Sequence, residues 1–231
     1  MSDIFREVEE EVRRDQAKKL WDRYGAYVIG VAVLIVAVTA GYRGWEWYSA
    51  RQAAEAGAEY YAAMQLARDG KTAEAEAAFN EIAAGSGGVA TLARLRAAAV
   101  TAEAGDKQAA IAEYDAVAGR AGVQRDLRNV ARVRAAYILL GMGDRAGVEQ
   151  RVGDLAVEGN IWRASARELL GLAAYQAGDL DTATQRFDEI LADNETPSDM
   201  RARAQLMVSL LAADRAPSAE VSAEDAAADN Q

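Results

Sequence analysis

Residues 25–48, GAYVIGVAVLIVAVTAGYRGWEWY, limit what this chain can fold into more than any other stretch. Between Arg23 and Arg43 lie 19 residues without one charge. A helix rises about 1.5 Å per residue and must cross about 30 Å of hydrocarbon to span a bilayer. Residues 24–42 just reach that length. Aromatic side chains bracket the run: Trp21, Tyr24 and Tyr27 before it, and Tyr42, Trp45, Trp47 and Tyr48 after it. Such rings settle at headgroup depth, half in oil and half in water. The segment reads as a transmembrane helix with an aromatic interface, residues 24–48.

Two other readings compete with it. Val38-Thr39-Ala40 offers small residues of the kind a signal peptidase cuts, but the preceding 23 residues are rich in Asp and Glu, unlike a signal n-region. A buried core helix would be unusually long without charge. Orientation follows from basic residues near the ends. Six Lys and Arg precede the run (Arg6, Arg13, Arg14, Lys18, Lys19, Arg23), against Arg43 and Arg51 behind it. The excess stays cytoplasmic. The expectation is a single-pass inner (plasma) membrane protein with a cytoplasmic N-terminus and, in a Gram-negative envelope, a periplasmic C-terminal domain. Ala26, Gly30, Ala37 and Gly41 fall on one narrow face, where small residues would let another helix pack closely. Residues 1–23 read as a short cytosolic amphipathic helix, with Ile4, Phe5, Val8 and Val12 on one face and EVEEEVRR supplying charge.

The remainder is helical in composition and repetitive. A turn glycine is followed at fixed intervals by a small, a large and an apolar residue: Gly70, Ala75, Phe79, Ile82; Gly105, Ala110, Tyr114, Val117; Gly143, Val148, Val152, Leu155; Gly178, Ala183, Phe187, Ile190. The glycines are 35, 38 and 35 residues apart. Gly can take the left-handed conformation that closes a helix. The Asp after it can cap the next helix (Asp106, Asp144, Asp179). In the first copy Lys71 replaces Asp, and Thr72 is the expected cap. Helix, tight turn, helix, at a period near 34, resembles the tetratricopeptide repeat. Four units stacked into an α-solenoid occupy residues 49–214, ending in a capping helix over 198–214. Residues 215–231 are acidic and small, which predicts disorder. The fold class is all-α.

The concave side of a solenoid is its usual binding face. In the repeat register the first helices point Tyr60, Met64, Leu95, Tyr137, Glu168, Leu172 and Tyr175 toward it. An apolar groove of this kind suits unfolded or extended polypeptide. Packing against neighbouring helices is the competing reading for each residue. The chain has no Cys and no His, so thiolate chemistry and imidazole catalysis are excluded. No phosphate loop, Ser/Lys dyad or cofactor motif is present, and we read it as a non-enzyme without cofactor. A net charge of -10 argues against nucleic acid.

The layout as a whole, from DIFREVEEEVRRDQAKKLWDRYG through one membrane helix and a Trp- and Tyr-rich exit to a degenerate repeat domain, resembles the YfgM-like family of bacterial inner-membrane proteins. The resemblance covers residues 1 to about 214. It implies an ancillary subunit of the SecYEG translocon, partnered with a PpiD-like periplasmic chaperone, that helps newly exported proteins reach periplasmic chaperones. The alternative with the same fold is an envelope scaffold for cell-wall or outer-membrane assembly.

Overall fold

The structure, a computed structural model, describes residues 2–215. The side chains of Ile4, Phe5, Val8 and Val12, expected on one face, and the acidic tail beyond Arg215 lie outside what the structure describes. The described residues form nine α-helices and a short 3-10 turn, with no strand. The first, α1, runs Ser2–Arg68 without a break. The segments expected at 1–23 and 24–48 are therefore stretches of one helix. Its far end, from Ala56 on, belongs to a second compact unit.

In the N-terminal unit, residues 29–50 are exposed throughout. Val31, Leu34, Ile35, Val36 and Val38 have no packing partner among the described residues to cover them. The stretch is long and apolar enough to cross a membrane. Polar groups inside it are satisfied locally: the Thr39 hydroxyl donates to the Ile35 carbonyl at 2.7 Å. At the C-terminal end the Arg51 guanidinium lies 5.8 Å from the centre of the Trp47 ring.

The second unit is a row of helical hairpins. The end of α1 pairs with α2 (Thr72–Ala83). Then α3 (Gly87–Glu103) pairs with α4 (Lys107–Ala118), and α5 (Arg125–Leu140) with α6 (Arg145–Val152). Next α7 (Arg163–Gln176) pairs with α8 (Leu180–Ala192), and α9 (Ser198–Arg215) closes the row. Each hairpin turns on the same bonds. Gly70, Gly105, Gly143 and Gly178 have φ of 74°, 101°, 75° and 76°, where a β-carbon would be strained. The next N–H then donates five residues back: Lys71 to Leu66, Asp106 to Thr101, Asp144 to Leu139, Asp179 to Ala174, at 3.0–3.2 Å. This satisfies helix-end carbonyls that would otherwise lack a partner.

Asp106, Asp144 and Asp179 accept from the N–H of Ala109, Gly147 and Thr182 at 2.9–3.1 Å. The first hairpin departs from expectation. Thr72 is the first residue of α2, and Lys71 holds the N-cap position with no side-chain cap. A hydroxyl already inside the first turn points away from the amides it would have to accept from.

The residues spaced from each glycine make the core. Ala75, Ala110, Val148 and Ala183 are fully buried, as are Phe79, Val152, Phe187 and, nearly so, Tyr114. They form four clusters between successive hairpins, each joining one pair to the first helix of the next. The third repeat is shorter: α6 stops at Val152 and a 3-10 turn, Gly153–Leu155, follows. Glycine's poor helix propensity explains the early stop. Leu155 still reaches the core.

Candidate functional site: the inner face of the repeat array

First helices touch first helices: α3 packs on α5, α5 on α7 and α7 on α9. The second helices α4, α6 and α8 meet only first helices. The first-helix layer is the closer-packed one, so the array curves toward it.

The seven residues expected on this face divide. Tyr137, on α5, is exposed at 44%. Tyr60 and Met64 are half-buried and pack on the first core; the Tyr60 ring sits 5.6 Å from Phe79, tilted by 59°. Leu172 and Tyr175 are half-buried against the last core. The Tyr175 hydroxyl donates to Asp214 Oδ2 at 3.0 Å. Leu95 and Glu168 are buried inside the array rather than presented to solvent. Leu95 belongs to the core between the second and third hairpins. Glu168 accepts a forked pair of bonds from Arg203 of α9, at 2.6 and 3.2 Å. Burial pushes the Tyr137 phenol up, and the Glu168 carboxylate pushes it further.

Charged residues fasten repeat to repeat at the repeat period. Arg203 reaches Glu168 across 35 residues, Arg151 reaches Asp115 across 36, and Arg145 reaches Asp179 across 34. Asp179 is thereby both a helix cap and an ion-pair partner. Its carboxyl is held below the usual range by the Thr182 amide first, then by Arg145. Between α7 and the end of α8, Arg163 grips Asp193, with one bond at 2.9 Å, and Arg167 lies 3.3 Å from the same carboxylate. The Arg163 fork holds Asp193 down at about 2. None of these pairs was legible from the spacing of the hydrophobic residues.

Clefts of about 640, 510 and 550 Å³ open along the edge formed by loops that join one hairpin to the next. Arginines line all three, and none of the seven groove residues does. An extended chain lies along an open face and needs no closed cavity, so the inner face remains the candidate site. In the N-terminal unit, Ala26, Gly30, Ala37 and Gly41 are all exposed, and a β-carbon added at Gly30 or Gly41 would meet nothing within 4 Å. Among the described residues, no group of acidic side chains is placed to hold a metal ion.

Paired helices on a glycine turn, stacked with a closer inner layer, define a tetratricopeptide-type solenoid, a fold that serves as a protein-interaction module. The chain belongs to the tetratricopeptide repeat-like domain family, which it matches over residues 18–215. That span includes the apolar stretch as well as every hairpin. A solved structure, the MamA RS-1 ArsTM double mutant, superposes with a TM-score of 0.46 at 17% identity, covering 69% of this chain and 96% of that one. No curated protein matches the chain.

Proposed function

We propose that this protein is a single-pass membrane protein whose repeat groove takes extended segments of exported polypeptide beside the Sec translocon and assists their passage to periplasmic chaperones. The observation that carries the reading is the exposed apolar stretch of α1, whose valines, leucine and isoleucines have no cover among the described residues. About 25 cal/mol per Å² of such surface favours removal from water, and lipid supplies that cover. Six basic residues before the stretch against two behind it support a cytoplasmic N-terminus, with the repeats on the far side. The repeat family supports a protein ligand, and nothing positive in the chain points to catalysis. Tyr137, Tyr60, Met64, Leu172 and Tyr175 supply aromatic and aliphatic contact on the inner face. Resemblance to the YfgM-like family supports SecYEG and a PpiD-like chaperone as partners.

The test is crosslinking of the full chain in native membranes, purification in mild detergent and mass spectrometry. Translocon subunits and a membrane-anchored periplasmic chaperone are the expected products. Recovery of cell-wall enzymes or outer-membrane assembly factors in their place would overturn the assignment. A version with residues 1–48 replaced by an unrelated anchor separates the contribution of the membrane helix from that of the groove. The intact mass of the purified protein must also include residues 1–40; their loss would identify a cleaved signal.

A further inference from the structure

The largest of the three edge clefts, about 640 Å³, opens where the third repeat is short. The second helices α2, α4 and α8 run 12, 12 and 13 residues, whereas α6 runs 8. A 3-10 turn and the loop to α7 take the place of its last turn. They form one wall of the cleft, with Asp154, Glu158 and Ile161. The other wall is α5, which contributes Arg125, Arg128, Asn129 and Arg132. Offsets of three, four and seven residues from Arg125 put these four on one face of the helix.

Asn129 sets this cleft apart. It is only 7% exposed, yet its side-chain amide has no hydrogen-bond partner among the described residues. The nearest polar side chains are engaged elsewhere: Arg132 pairs with Asp154, and Asn160 Oδ1 accepts from the Trp162 amide at 2.9 Å. Nor is the Asn129 amide sealed from solvent, as the unpaired Trp162 Nε1, Thr196 Oγ1 and Arg201 Nε are. Its small accessible part therefore opens into the cleft that it lines. A buried amide without a partner is costly until a ligand or a water supplies the bonds. Asparagine offers an acceptor and a donor side by side, and a peptide group offers the matching N–H and C=O. Charge in the cleft is balanced. Arg125, Arg128 and Arg132 face Asp126, Asp154 and Glu158, so neither a polyanion nor a cation is favoured. With Arg132 and Asp154 paired, Arg125 and Arg128 remain for a carboxylate and Glu158 for a cation. The volume falls in the range of ligand pockets, about 300–1,000 Å³.

We propose that this cleft binds a short peptide segment carrying charges of both signs, with Asn129 exchanging hydrogen bonds with one of its peptide groups. An acidic side chain of the segment lies toward Arg125 and Arg128, and a basic one toward Glu158. The inference rests on extended polypeptide being the ligand of this protein, and adds a second site for it, on the loop edge rather than the inner face.

The test uses the full-length protein in detergent and a permanently unfolded probe, reduced and carboxymethylated α-lactalbumin. A photoreactive amino acid is placed at Ile161, an exposed lining residue of the cleft, and in a separate preparation at Tyr137. Adducts with the probe are expected at both positions. Asn129→Leu keeps the size of the side chain and removes its hydrogen bonds. It should lower the yield at 161 about three- to tenfold and leave the yield at 137 unchanged. Arg128→Gln and Glu158→Gln keep the buried amide and should each lower the yield at 161 about two- to threefold. Far-UV circular dichroism checks that each variant is folded. Absence of adducts at 161 overturns the proposal and assigns the amide to water only. A yield at 161 that folded Asn129→Leu leaves unchanged overturns it too. Should Asn129→Leu fail to fold, an unchanged yield in both charge variants has the same force. The two sites fail separately. Adducts at 137 without adducts at 161 keep the groove and remove the cleft, whereas the reverse keeps the cleft and removes the groove's proposed ligand.

Discussion

Gly171 gives the sharpest test of how the hairpins pack. It lies buried in α7, seven residues before its turn glycine. A methyl placed there would stand 3.0 Å from Phe187 Cε2, 3.1 Å from Cζ and 3.3 Å from the β-carbon of Arg186. Ordinary carbon contacts begin near 3.5 Å, so α8 must shift by a few tenths of an ångström. Overpacking of this kind costs about 1–3 kcal/mol. Replacing a mid-helix Gly by Ala gains about 0.8–1.0 kcal/mol. The net expectation for Gly171→Ala is a loss of about 1 kcal/mol. Gly57→Ala, in the same unit, meets nothing within 4 Å and keeps only the gain. The same substitution should therefore have opposite signs at the two positions. Phe187→Leu shortens the ring side chain that the new methyl would strike. Combined with Gly171→Ala it should recover about 1 kcal/mol relative to the sum of the single changes. Urea unfolding of the full chain in detergent, followed by far-UV circular dichroism, reads all four stabilities. Equal stabilisation by both Gly→Ala changes, or strict additivity of the pair, would refute close packing of α7 on α8.

Three further outcomes follow from the geometry. Lys71 has the same backbone as the capping aspartates, φ -83° and ψ 63° against φ near -85° and ψ of 74–81°. Lys71→Asp should add about 1 kcal/mol, and Asp179→Ala should remove about as much, in the same urea assay. Arg203→Ala strands the buried Glu168 carboxylate and should cost about 2 kcal/mol, while the double change with Glu168→Gln should recover part of it. Acid unfolding reports on Asp193. Its folded pKa of about 2 lies below the ordinary 3.8, so its contribution is present above pH 3.8 and is lost as pH falls toward 2. Arg163→Gln should remove that contribution and flatten the stability profile in this window; an unchanged profile would count against the pair.

The repeat spacing carried much of the fold. Residues five, nine and twelve after each glycine are buried in every copy because stacking leaves them no other place. Capping was legible where Asp follows Gly and misread at Lys71, because Thr72 is one residue too far along to accept. The inner face was harder. Tyr137 keeps much of its surface exposed, whereas Leu95 and Glu168 are covered by neighbouring helices. That difference depends on how tightly successive first helices approach, which periodicity within one helix does not encode. Arg203 meets Glu168 only after the whole array has stacked, so its sequence position gave no signal.

The central claim is that the apolar helix holds a polypeptide-binding groove on the export side of the membrane. A photoreactive amino acid at Tyr137, illuminated in native membranes while an exported chain is arrested in transit, tests it most directly. The account predicts adducts between position 137 and the arrested chain, reduced when Arg134 and Leu172 are replaced by glutamate. Adducts confined to cytoplasmic proteins, or none with the arrested chain while an adjacent translocon probe captures it, would contradict the account.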